Sequence, residues 1–94
     1  MKIFKDKHNL IKETYQFNEL SFVPTMGGLH NGHKYLITKA KKKGFKVIVS
    51  IFVNPKQFNS KKDFKYYPRN INQDLKFLKK LNVDFVYLPK IKEI

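Results

Sequence analysis

"KVIVSIFV", residues 46–53, is an almost unbroken apolar run rich in β-branched side chains. It is far shorter than the roughly 20 residues of a membrane span. A run of this length and composition predicts a strand buried on both faces, the condition of a parallel sheet covered by helices on either side. The flanking sequence alternates in keeping with that prediction. "KIF", residues 2–4, is a short strand, followed by a helix from Asp6 to about Tyr15 with Asp6 as N-cap and Leu10, Ile11 and Tyr15 as its apolar residues. "ELSFVPT", residues 19–25, reads as a second strand ending at Pro24. From about Asn31 a helix runs to Lys43 and stops at Gly44, with Leu36, Ile37 and Ala40 on one face and Lys34, Lys41 and Lys42 off it. Ile71, Leu75, Leu78 and Leu81 mark a further amphipathic helix, and "VDFVYLP", residues 83–89, a last strand. Strand and helix in strict alternation predict a three-layer α/β fold, a Rossmann-like parallel sheet with flanking helices and right-handed crossovers.

Composition narrows the function classes. The chain has 94 residues, enough for one small core. Without cysteine it has neither a disulfide framework nor a thiolate metal site. The first residues, "MKIFKDKHNL", lack the apolar centre of a signal peptide. These features predict a soluble, cytoplasmic protein with no membrane association. Twenty Lys and Arg against seven Asp and Glu give a formal charge of +13, and every cation but Arg69 is lysine. An excess of this size attracts polyanions and nucleotides alike. Specific nucleic-acid readers rely on arginine for bidentate contacts, however, and here the lysines are spread through every segment, so a lysine-rich composition explains the charge better than a nucleic-acid footprint does.

The stretch "TMGGLHNGH", residues 25–33, lies between the second strand and the next helix. In an open parallel sheet this is the carboxyl-end position where ligands bind. Gly27, Gly28 and Gly32 allow close backbone approach and unusual dihedrals. The helix starting near Asn31 is expected to offer unpaired N–H groups and the positive end of its dipole, a setting suited to phosphate. His30 at the helix start and His33 in its first turn can both donate to phosphate oxygens. On spacing alone, two histidines three residues apart are more often surface or packing residues. A zinc site is disfavoured because no third ligand stands nearby, so no metal site is assigned. The glycines fit neither the Walker loop nor the G-x-G-x-x-G fingerprint. His8, alone in a polar helix, reads as solvated, and the run Lys41 to Lys43 as a solvated helix end.

Taken together, "VPTMGGLHNGH", "VSIFVNPKQF" and "DFKYYPR" resemble the pantothenate synthetase family, ATP-dependent ligases that join pantoate to β-alanine. The His-x-Gly-His core alone suggests only the wider nucleotidyltransferase superfamily; the three motifs in order are far more specific. The resemblance implies that Met26, Gly27, Gly28, Leu29, His30, Asn31, Gly32 and His33 form the ATP-binding loop, with His30 and His33 catalytic and His33 in the proton donor's place. It implies that Gln57 binds pantoate and lies against the β-alanine site, with Asn54 beside it. Without the resemblance, "VNPKQF" reads as a turn and a polar loop. The implied substrates are ATP, with Mg2+, pantoate and β-alanine. The implied chemistry is attack of the pantoate carboxylate on the α-phosphorus, loss of pyrophosphate, then displacement of AMP by β-alanine. The full-length family is expected to be homodimeric.

The resemblance covers essentially the whole chain but only about the first third of a family member. Residues 1–94 are therefore expected to be the N-terminal part of the nucleotide-binding domain, with the C-terminal domain and a second phosphate-contacting loop absent and this chain inactive alone. Two rivals remain. Another His-x-Gly-His nucleotidyltransferase predicts nucleotide binding without pantoate dependence; a basic nucleic-acid-binding module predicts binding that ignores ATP and weakens steeply with salt.

Overall fold

A computed structural model describes residues 1–52 and 68–89. Seven elements follow in order: β1 (Lys2–Phe4), α1 (Lys7–Thr14), β2 (Leu20–Thr25), α2 (Asn31–Lys41), β3 (Lys46–Ile51), α3 (Pro68–Lys80) and β4 (Phe85–Tyr87). The four strands are all parallel and lie in the order β1-β4-β3-β2. The expected fold class is the observed one.

Strand order explains which helix covers which face. The path β2, α2, β3, α3, β4 steps one way across the sheet, so right-handed crossovers put α2 and α3 on one side. The step from β1 to β2 runs the other way and puts α1 on the opposite side. Side chains sort accordingly, because neighbours along a strand face opposite ways. Val23, Val47, Val49, Ile51 and Val86 pack with Ile37 of α2 and Leu78 of α3. Ile48 and Phe85 pack with Leu10 of α1, flanked by Phe4 and Phe17. Residues Val47 to Ile51 are all buried, as the apolar run predicts for a strand in the sheet interior.

Element ends are set by local chemistry. Asp6 caps α1 as expected, its carboxylate accepting from the His8 N–H at 2.7 Å. Helix α2 ends at Lys41, two residues before the predicted end, and the chain turns through Lys42 and Lys43 to Gly44 at φ 76°. Helix α3 closes in a Schellman motif: the Asn82 N–H reaches the Lys79 carbonyl and the Val83 N–H the Leu78 carbonyl, with Asn82 at φ 57°. Leu78 and Val83 are both buried in the same cluster, which supplies the motif's hydrophobic contact. Strand β2 continues through Pro24 to Thr25, one residue past the predicted end. The Thr25 carbonyl accepts from Phe52 on the β3 side, so Pro24 turns its nitrogen to the sheet edge, where no ladder bond is lost. No helix among the described residues is long and apolar enough to cross a membrane.

Candidate active site

Beyond the carboxyl ends of β2 and β3 lies an open cleft of about 490 Å3, lined by Pro24, Thr25, Met26, His33, Ser50 and Phe52. The buried Thr25 hydroxyl links its two strands, donating to the Ser50 carbonyl at 2.8 Å and accepting from the Gly27 N–H at 3.3 Å. Gly27 and Gly28, at φ 87° and 63°, then turn the chain in a conformation that side chains resist. The turn points two consecutive amides at α3, where the Asp74 carboxylate accepts from Gly28 at 3.1 Å and from Leu29 at 2.9 Å.

His30 is the N-cap of α2, and the two histidines form a reciprocal capping box. Nδ1 of His30 accepts from the Gly32 N–H at 3.0 Å, and Nδ1 of His33 accepts from the His30 N–H at 3.2 Å. Their rings lie 4.3 Å apart. Because each Nδ1 is an acceptor, both imidazoles are assigned the tautomer with the proton on Nε2. Among the described residues, neither Nε2 has a hydrogen-bond partner. Burial first, and then the charge of His30, hold the His33 pKa below the usual histidine value, with Asp74 opposing the shift. The lowered value favours the neutral imidazole, which donates through Nε2.

Gly32 has a different role from the other loop glycines. It sits in the first turn of α2, where an added Cβ would lie 2.8 Å from Cε1 of His30 and 3.1 Å from Nδ1. The group it admits at close range is the capping imidazole of its own chain.

The structure corrects one expectation about the donors. The amides of Gly27, Gly28, Leu29, His30 and Gly32 already have acceptors within the chain, so the loop does not present a row of unpaired N–H groups. The imidazole Nε2–H groups, opposite the two engaged Nδ1 atoms, are donors that remain for an incoming anion. The segment from Met26 to His33 is brought together at the carboxyl end of the sheet, whereas Asn54 and Gln57 lie outside the described residues. Lys39 and Lys41 are engaged elsewhere, Lys39 over the Tyr35 ring and Lys41 on the Asn82 carbonyl. His8 is exposed, as expected. Among the described residues no three His, Asp or Glu side chains gather to hold a metal ion.

Asp74 is the residue that sequence reasoning passed over, although a signal was present. It stands three residues after Ile71 and four before Leu78, on the apolar stripe of its helix. A carboxylate on a buried face requires donors, and the nearest are in the glycine turn.

A parallel α/β sheet with a glycine turn and an imidazole-capped helix at its carboxyl edge defines a nucleotidyltransferase-like fold. Comparison with known proteins narrows that class. The sequence profile of the pantoate–β-alanine ligase family matches residues 2–94, and the chain belongs to this family. It is 60% identical over 79 residues to the pantothenate synthetase of Ruthia magnifica, covering 84% of this chain and 28% of that protein. It is 52% identical over 77 residues to the pantoate–β-alanine ligase of Schizosaccharomyces pombe, covering 82% and 27%. Among solved structures it resembles the Francisella tularensis pantoate–β-alanine ligase complexed with β,γ ATP and β-alanine, at TM-score 0.81 and 44% identity over 98% of this chain and 36% of that one. The chain thus spans about a third of the length of these relatives.

Proposed function

We propose that this chain supplies the ATP-phosphate side of a pantoate–β-alanine ligase site, as the N-terminal part of its nucleotide-binding domain. The carrying observation is the histidine capping box, which commits both Nδ1 atoms to the backbone and leaves both Nε2–H groups to donate at the helix N-terminus. The Francisella tularensis relative in complex with an ATP species and β-alanine supports the same assignment.

In this reading the segment Met26–His33 is the ATP loop and His30-Asn31-Gly32-His33 the superfamily motif. The pantoate carboxylate attacks the α-phosphorus of ATP, the bond to pyrophosphate breaks, and pantoyl adenylate forms. The β-alanine amine then attacks the acyl carbon and expels AMP, losing a proton as the amide forms. His33 donates from Nε2 to the charge developing on pyrophosphate, with His30 beside it; donors fixed in advance lower the barrier without reorganising. Gln57 and Asn54 are assigned to pantoate and β-alanine. Mg2+ would accompany ATP and neutralise charge on its phosphate oxygens. Cytoplasmic location and a homodimeric full-length ligase belong to the same proposal.

The test uses pantoate-dependent exchange of pyrophosphate into ATP, in a hybrid ligase joining residues 1–94 to the remaining two-thirds or so of the Francisella tularensis enzyme. Exchange that requires pantoate is expected. Exchange indifferent to pantoate would favour another nucleotidyltransferase and reject this reading.

A further inference from the structure

The Asp74 carboxylate has an unusual position for an acidic group in a protein carrying a formal +13 charge. Its residue is 4% exposed, it projects from α3, and each of its oxygens takes one amide of the glycine turn. Two consecutive N–H groups converging from a left-handed turn form a concave anion-binding nest. That nest lies directly before the helix whose first turn carries the histidines. Left empty, it would compete with the imidazoles for any phosphate entering the cleft. Filled by Asp74, it is closed to phosphate, and the turn is tied to α3 immediately before the capping box.

We propose that Asp74 is a positioning residue of the phosphate site: it occupies the nest, fixes the glycine turn, and so directs an incoming phosphate to the Nε2–H groups of His30 and His33. The inference rests on the nucleotide reading above. Asp74 does not touch the nucleotide; it acts through the loop and through its charge on His33. The ionisable groups facing His33 are His30, on its own helix, and Asp74, from α3.

The test compares the hybrid ligase carrying residues 1–94 with its Asp74→Asn variant, which keeps the volume but loses the charge and one acceptor, and its Asp74→Glu variant, which keeps the carboxylate. Amide hydrogen exchange at Gly28 and Leu29 is expected to quicken by about tenfold or more in Asp74→Asn, the scale of a charge-assisted hydrogen bond. ATP affinity, read by calorimetry, is expected to fall by about tenfold in Asp74→Asn and to recover in part in Asp74→Glu. His33, followed by proton NMR, is expected to titrate lower in Asp74→Asn and to return toward its original value in Asp74→Glu, a response that loss of packing alone does not produce. Should Asp74→Asn fail to fold, ATP affinity and His33 titration in Asp74→Glu decide the matter, near-normal values supporting the proposal and full loss of both overturning it. Unchanged ATP affinity in a folded Asp74→Asn variant would overturn the role of Asp74 alone. Absence of ATP binding in the unaltered hybrid ligase would overturn the nucleotide reading, and this inference with it.

Discussion

At the scale of single residues, the site depends on how two imidazoles share a helix N-terminus. His30 lies across the first turn of α2 because position 32 carries no side chain. Gly32→Ala is therefore expected to displace the ring and break its bond to the residue 32 amide. The loss of an N-cap amounts to about 0.5–2 kcal/mol, and urea unfolding that showed no loss would refute the steric account. His33 carries the chemical prediction. In the proposed reaction its replacement by alanine removes the donor assigned to the developing negative charge, and the scale of such a loss is about 10²-fold or more. Pyrophosphate exchange by the hybrid ligase should fall by that amount while the fold persists, since alanine is well tolerated in a helix. An unchanged rate would remove His33 from the reaction. The lowered His33 pKa also has a pH signature. A folded-state value below the unfolded 6.5 means that the unfolded chain takes up its proton first. The stabilising contribution is present above about pH 6.5 and is lost as pH falls through that value toward the lower folded one. Between pH 8 and 5, unfolding midpoints should drop further for the unaltered chain than for His33→Asn; parallel curves would contradict the shift.

At the scale of elements, termini carry information that the apolar periodicity lacks. Asn82 holds the left-handed C′ position of a Schellman motif and turns the chain from α3 toward β4. Alanine there meets the Cβ penalty of the left-handed region, about 1–2 kcal/mol, whereas glycine does not. Asn82→Ala is expected to lower the thermal midpoint and Asn82→Gly to hold or raise it. The reverse order would show that the Asn82 side chain, and not its backbone conformation, sustains the motif. Helix α3 contributes twice, through Leu78 to the core and through Asp74 to the site, so a helix on the sheet face also determines the shape of a loop at the sheet end.

At the scale of the whole molecule, the proposed reaction needs more than the described residues supply. Adenylation requires charge stabilisation around the triphosphate, and in the proposed site the histidine pair would meet it from one side. Lys39 and Lys41 stand about 10–15 Å along α2 from its N-terminus at 1.5 Å per residue, each already engaged. The chain spans about a third of its relatives. Residues 1–94 alone are therefore expected to form no pantothenate from ATP, pantoate and β-alanine, and synthesis is expected once the remaining two-thirds or so of a ligase is joined. Turnover by the isolated chain on the order of 1 per second would reject this. Among the described residues β2 is an edge strand, with Phe22 57% exposed and Leu36 of α2 52% exposed beside it. Unpaired strand edges with apolar neighbours associate, so sedimentation of the isolated chain should show concentration-dependent self-association. A monomer at all concentrations would show that this edge is protected.

The sequence by itself determined the order and kind of every described element, because the apolar run of β3 and the helical spacing of α2 and α3 are local patterns that burial requires. It also determined the placing of the glycine-histidine loop, since a strand-to-helix turn in a parallel sheet opens at the carboxyl end. Local pattern does not contain the partners of individual polar atoms. Whether the loop amides were available to phosphate depended on Asp74, 46 residues from Gly28 along the chain, and only the packing of α3 against the sheet brought the two together. The tautomers of His30 and His33 were likewise decided by the folded helix start, because an imidazole places its proton opposite whichever nitrogen accepts a backbone N–H.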